Sequence, residues 1–204
     1  MTETEYDRMT AGKLYYSPDK DLVARRAATR KLVTAYNQTD DAAGQKALLD
    51  QLIDCPSHDA YIEPTIRVDY AKNIHIGKQF YANYDCIFLD VAPITIGDNV
   101  MFAPRVGVYT AGHPISYDVR ERDLEYGHPI TIGSHVWVGG DVTICPGVTI
   151  GSDVVIGAES VVTHDIPDHV IAVGNPARVL RKIDDTTRAT WAAEEAAYHR
   201  ETGR

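Results

Sequence analysis

The chain has 204 residues, 44% apolar and 24% charged, which suits one globular domain with room for a small appendage. Its formal net charge of -9 argues against a general nucleic-acid binder, a class that is usually basic. No apolar run approaches the roughly 20 residues that cross a membrane. The polar, acidic start from Met1 to Asp7 is also unlike a secretory signal. A cytoplasmic protein with no membrane or nucleic-acid partner is therefore expected. The three cysteines, Cys55, Cys86 and Cys145, are widely spaced and form no CxxC pair. They give no disulfide framework, fit a reducing compartment, and read as small buried hydrophobes.

Residues 1–57 read as a helical segment. Ser17-Pro18 offers an N-cap followed by proline at the first helical position. Leu22, Val23, Leu32, Val33 and Tyr36 then suggest a helix to about Asn37. A second helix is predicted from Asp41 to Ile53, with Leu48, Leu49, Leu52 and Ile53 inward.

Residues 58–177 carry a repeat of six. Ile132, Val138, Ile144, Ile150, Ile156 and Val162 recur at every sixth position, and glycine follows four of them directly, at Gly133, Gly139, Gly151 and Gly157. Two residues before these members stand Ile130, Val136, Val142, Val148, Val154 and Ser160. The same frame appears earlier at Ile94-Thr-Ile96-Gly97 and near Ile74-His-Ile76-Gly77. Each x-I-x unit places two branched side chains on one face of a short strand, and the small residue after it permits a corner. Three such sides make a coil of about 18 residues, the hexapeptide β-helix solution. A helix is excluded, because steps of six form no stripe at 3.6 residues per turn. The frame slips by two residues between Phe88 and Ile96, and a polar segment near 109–129 interrupts it as a protruding loop. Residues 178–204 read as a strand from Arg178 to Ile183, then a polar, helix-prone tail from Trp191 to Arg200 that frays.

Several short motifs occur in order along this frame: Met9-Thr-Ala-Gly-Lys-Leu-Tyr-Tyr16, Tyr61-Ile-Glu-Pro-Thr65, Phe80-Tyr-Ala-Asn83, Ile96-Gly-Asp-Asn99, Thr110-Ala-Gly-His-Pro114 and Gly174-Asn-Pro-Ala-Arg178. Together they resemble the maltose, galactoside and nodulation-factor O-acetyltransferases of the hexapeptide-repeat superfamily, the maltose branch above all, over roughly residues 6–184. The resemblance implies a mainly β, left-handed parallel β-helix, a homotrimer with active sites between subunits, and acetyl-CoA as co-substrate. It implies transfer of an acetyl group to a hydroxyl of a maltose- or glucose-type sugar. The alternative is a galactoside or another, non-sugar hydroxyl acceptor.

His113 stands in the interruption, where the repeat has no use for it. A hydroxyl attacks a thioester only once its proton is taken, and histidine suits that work near pH 7. The resemblance assigns His113 as that base and places Asn83 near the reacting centre, where an amide holds charge developing on oxygen. Tyr81, Asp69, Asp90, Asp19 and Arg26 are the candidate acceptor residues. A carboxylate accepts hydrogen bonds from neighbouring hydroxyls, and galactoside-type relatives have serine in place of Asp69. The resemblance implies that the cofactor's arm runs along a corner edge past Gly140, Ala158 and Thr163, with His164 placed beside that groove by position. The cofactor's phosphates are expected at Arg178 and Arg181, beside Lys182, since arginine matches phosphate geometry. Gly140 is also a candidate oxyanion donor through its backbone N–H, and Trp137 a candidate stacking partner. Direct transfer in a ternary complex is preferred, because no GxSxG elbow marks an activated nucleophile. Of His75, His128, His135, His164, His169 and His199, only His164 and His169 fall at a ligand-like spacing, and no CxxC pair accompanies them, so no metal is expected. A β-helix carbonic anhydrase would need three histidines converging on zinc from two subunits; this chain has one H-x4-H pair, His164 and His169, and the motifs above fit the acetyltransferases instead.

Overall fold

The computed structural model describes residues 3–204. A short helix α1 (Glu5–Thr10) precedes α2 (Lys20–Gln38) and α3 (Ala42–Leu52), and a parallel β-solenoid follows. Asp19 caps α2, its Oδ1 accepting from the N–H groups of Asp21 and Leu22. The expected cap at Ser17 therefore lies two residues too early, and Val23 proves exposed rather than inward. α1 was not expected. It is closed by a capping box between Thr4 and Asp7 and buries only Met9.

The solenoid has three flat sides. One runs through residues 74–76, 94–96, 130–132 and 149–150, and a second through 66–68, 86–89, 107–109 and 143–144 to 161–162. The third runs through 61–62, 81–82, 101–102, 136–138 and 154–156 to 170–173, and the antiparallel strand Arg178–Lys182 closes it. The register shows the coil lengths directly. Val136 pairs with Val154, an 18-residue step, whereas Ile74 pairs with Ile94 and Cys86 with Ile66, both 20-residue steps. The slipped frame is thus a wider coil. All three phenylalanines, Phe80, Phe88 and Phe102, fill these wider coils, with ring centroids 5.2 and 6.1 Å apart. Branched aliphatics suffice further along, where Ile130, Val138, Ile144 and Val154 are fully buried. Ser160 takes an interior position without cost, since its hydroxyl donates to Gly157 O and accepts from Gly174 N.

The corner glycines serve close approach rather than unusual dihedrals. A Cβ on Gly97 would lie 2.8 Å from the Gly133 carbonyl carbon, and one on Gly133 would lie 2.7 Å from that of Gly151. The left-handed position falls two residues later, on Gln79, Asn99, His135 and Asp153. Between them stands a residue that caps the preceding coil. Asp98 Oδ1 accepts from Lys78 N at 2.7 Å, Ser134 Oγ from Asp98 N at 3.0 Å, and Ser152 Oγ from Ser134 N at 3.1 Å. Each coil therefore satisfies the corner donors of its neighbour.

The interruption is structured. Ala111–Gly112 pairs antiparallel with Leu124–Gly127, and that strand pairs with Tyr15–Tyr16 from the N-terminal segment. A short helix α4 (Tyr117–Arg120) closes the hairpin. The expected tail forms α5 (Asp185–Thr202), which starts well before Trp191 and buries no residue.

Candidate functional site

Helix α2 lies against the second side of the solenoid. Tyr36 donates to Ile62 O, Asn37 exchanges two 2.9 Å hydrogen bonds with Ile66, and Thr29 donates to Tyr70 O at 3.0 Å. This seating presents Arg26 and Arg30 toward the corner where residues 69–71 leave the second side. There Tyr15, Ser17, Arg26, Arg30, Asp69, Tyr70, Val91 and Glu125 line a polar pocket of about 220 Å³. Arg26 donates to the Tyr70 hydroxyl and, at 2.9 Å, to Ser17 O. Tyr15 donates to Glu125 Oε2 at 2.7 Å. Burial pushes the Asp69 carboxyl above its ordinary pKa, and the Arg26 and Arg30 guanidinium groups offset part of that rise. Burial and the Glu125 carboxylate likewise hold the Tyr15 phenol protonated. The pocket thus offers two carboxylates and two guanidinium groups within one small space, a surface suited to a hydroxyl-rich ligand.

Of the expected acceptor residues, Asp69 and Arg26 meet in this pocket. Asp19 does not line it, and its Oδ1 is engaged in the α2 cap. Asp90 lies beneath the pocket, not in it. Its side chain is fully buried, and no hydroxyl of a ligand reaches it. Tyr81 points outward from the third side, stacked on Tyr61 with centroids 6.1 Å apart. Tyr15, Arg30, Tyr70 and Glu125 were missed. Glu125 pairs in its strand with Tyr15, 110 residues earlier, and no local pattern announces that partnership.

His113 follows directly on Gly112 at the end of the hairpin arm whose other arm carries Glu125. The Tyr126 ring packs where a Gly112 side chain would stand, so the two arms close tightly. Arg120 donates to Pro114 O at 2.8 Å and steadies the turn just beyond. The His113 ring is exposed.

Asn83 lies on a different corner, between the third and second sides. Its Oδ1 accepts from Tyr84 N at 2.8 Å, which leaves the amide nitrogen to donate. Further along that corner come Gly140 and Ala158. Their neighbours are engaged between coils, Asp141 N with Pro104 O and Glu159 N with Gly140 O, while the N–H groups of Gly140 and Ala158 have no partner among the described residues. A Cβ on Gly140 would meet only Pro104 O, at 3.5 Å, so this edge is open. Arg178 stands exposed at the end of the same line, opposite Val173. Arg181 is tied to α5 through Thr187 Oγ1 at 2.8 Å. Thr163 and His164, hydrogen-bonded to each other at 2.8 Å, sit on the next corner, across strand 161–162 from Ala158. Trp137 is exposed on the third side, in register with Met101 and Tyr81. Cys86 is buried and Cys145 half-buried, and burial pushes both thiols up, so neither is an activated nucleophile. No group of three or more potential metal ligands occurs among the described residues. No described helix is long and apolar enough to cross a membrane.

Two family models match. The maltose acetyltransferase hexapeptide capping motif covers residues 8–55, and the bacterial transferase hexapeptide, six repeats, covers 129–164. The chain is 41% identical over 181 residues to the galactoside O-acetyltransferase of Escherichia coli, covering 88% of this chain and 89% of the relative. It superposes on the crystal structure of a maltose O-acetyltransferase from Clostridium difficile with a TM-score of 0.86 and 50% identity, covering 89% and 98% of the two chains. A hexapeptide-repeat acetyltransferase from Vibrio cholerae, complexed with acetyl coenzyme A, gives a TM-score of 0.84 at 36% identity, over 89% and 100%.

Proposed function

Because this chain belongs to the maltose and galactoside O-acetyltransferase family of hexapeptide-repeat transferases, we propose that it moves an acetyl group from acetyl-CoA to a sugar hydroxyl. The observation that carries the sugar assignment is the polar pocket of Arg26, Arg30, Asp69 and Glu125 at the root of the hairpin that bears His113. Acetyl-CoA supplies the activated acetyl thioester. Asp69 and Glu125 accept hydrogen bonds from the sugar, and Arg26 donates to it. His113 takes the proton of the attacking hydroxyl as the oxygen bonds to the acetyl carbon. The carbon–sulfur bond breaks, and the imidazolium returns the proton to the departing sulfur. The Asn83 amide or the free Gly140 N–H offsets charge growing on the acetyl oxygen.

The open N–H groups of Gly140 and Ala158 fit the amide-bearing arm of the cofactor, and Arg178, with Arg181 and Lys182 near it, fits its phosphates. Thr163 and His164 belong to this reading as contacts from a neighbouring corner. A homotrimer accords with two features of one chain. Tyr61, Met101 and Trp137 are each about half exposed along one side of the solenoid, with Tyr84 at its edge, and Asn83 and His113 stand on different corners. The pocket is also smaller than the roughly 300–1,000 Å³ of a complete ligand site, as expected where a second subunit supplies a wall. The second reading, a galactoside or a non-sugar hydroxyl as acceptor, differs in what the pocket holds and leaves the chemistry unchanged.

Free-thiol release from acetyl-CoA with glucose, maltose, a galactoside and no acceptor tests both readings. The expected outcome is stimulation by maltose or glucose and a loss of about 10²–10⁴-fold in His113→Ala with CoA binding retained. CoA binding without stimulation by any sugar removes the sugar assignment.

A further inference from the structure

Asp90 is the one fully buried carboxylate among the described residues, and its surroundings are specific. Its Oδ1 accepts two backbone hydrogen bonds across the coils, from Asp69 N at 3.1 Å and Tyr70 N at 2.8 Å. Its own carbonyl accepts from Asn73 Nδ2 at 2.6 Å, and the Asn73 Oδ1 accepts from the Tyr6 hydroxyl at 2.7 Å. Asp90 Oδ2 is the single buried side-chain polar atom without a partner among the described residues. A neighbouring brace lies one coil on. The fully buried Thr110 donates to Leu89 O at 2.6 Å and accepts from Ala92 N at 2.9 Å, and it is the residue from which the His113 hairpin departs. The two residues by which these wider coils exceed 18 fall at this corner, since Phe88 pairs with Val68 while Asp90 reaches back to Asp69 and Tyr70.

We infer that Asp90 is a positioning residue for the acceptor: its buried carboxylate pins the Asp69–Tyr70 turn, and so fixes the Asp69 carboxylate and the Tyr70 hydroxyl that holds Arg26, relative to the hairpin of His113. This inference rests on the pocket being the acceptor site. A buried carboxylate with one oxygen unpartnered is expensive to keep where an apolar residue would fill the space. Burial pushes the Asp90 carboxyl up to about 7, against the opposing effect of the two N–H donors. Both donors belong to pocket residues, and neither has another acceptor across the coil. The accepting oxygen of this side chain therefore orders a turn that the repeat itself does not specify.

The test compares Asp90→Ala with Asp90→Asn, whose amide oxygen keeps an acceptor in place. For each variant, KM is measured for the acceptor and for acetyl-CoA, and amide hydrogen exchange is followed along the chain. Asp90→Ala should raise the acceptor KM by at least about tenfold, with the KM for acetyl-CoA unchanged. Exchange at Asp69 and Tyr70 should rise while the later coils stay protected, and Asp90→Asn should restore most of the acceptor KM. If Asp90→Ala does not fold, Asp90→Ser, which reaches at most one of the two donors, should give an intermediate rise. Equal rises in both KM values, an unchanged acceptor KM, or an Asn variant as impaired as Ala would overturn the inference. If wild type turns over no sugar while exchange at Tyr70 still rises in Asp90→Ala, the functional reading falls and the brace stands as structure alone.

Discussion

The later coils and the corner at residues 69–92 are built from the same chain by different rules. From residue 130 to 162 every position answers to its neighbour one coil away: branched residues inside, glycine where backbones meet, and serine capping serine. At the earlier corner two extra residues per coil break that correspondence. A buried aspartate and threonine replace aliphatics, and helix, hairpin and solenoid converge on one pocket. Regularity makes the scaffold, and the departure from it makes the site.

The sharpest way to break the comparison is at a corner glycine. Gly133→Val would drive its Cβ to within 2.6 Å of Ser152 Oγ and 2.7 Å of Gly151 backbone, and rigid coils cannot yield. We expect a loss of more than about 3 kcal/mol, or no soluble protein. Gly140→Ala, whose Cβ would meet only Pro104 O at 3.5 Å, should leave the urea midpoint within experimental scatter. Equal damage from both would mean that coil contact does not select these glycines.

A smaller effect should mark the irregular corner. The Asp90 carboxyl titrates near 7 when folded, against 3.8 for an unperturbed group. A folded value raised above the unfolded one contributes stability that is fully present below about pH 4 and is lost as pH rises through about 7. Asp69, whose charge also raises the Asp90 value, is shifted in the same direction, with Arg26 and Arg30 opposing. Denaturation at pH 5, 6, 7 and 8 should therefore show wild type losing its advantage over Asp90→Asn as pH rises. A constant difference would mean that Asp90 does not change its charge in this window.

The smallest expected effect returns to the regular coils. Ser134→Ala removes the acceptor for Asp98 N and should cost about 1 kcal/mol, a fall of roughly 2–4 °C in Tm. A loss several times larger would show that the caps act cooperatively along the corner rather than one coil at a time.

The same contrast explains what the sequence disclosed. The six-residue period is local and repeated, so the coils, their interior columns and the interruption near 109–129 were legible, as were α2, α3 and the closing strand. His113 stood out because it fell where the repeat had no place for it. The pocket was half legible. Asp69 and Arg26, both singled out from the sequence, line it, but Tyr70 and Glu125 enter it through pairings across coils and between distant strands, which leave no periodic trace. Asp90 was misplaced for the same reason. A carboxylate where the frame slips reads as exposed, and its burial depends on two extra residues whose path the period does not describe.

The open corner edge has a further consequence. Gly140 and Ala158 stand one coil apart, and adjacent strands of a sheet are about 4.8 Å apart whatever their sequence. An edge built this way is graduated like a ruler, so a ligand laid along it from the basic end at Arg178 toward Asn83 would be measured in whole coils. Lengthening the solenoid by one coil between those points would shift its two ends out of phase by a full graduation, and no side-chain change could make up the difference. On the proposed reading, the number of coils would itself help determine which ligand fits.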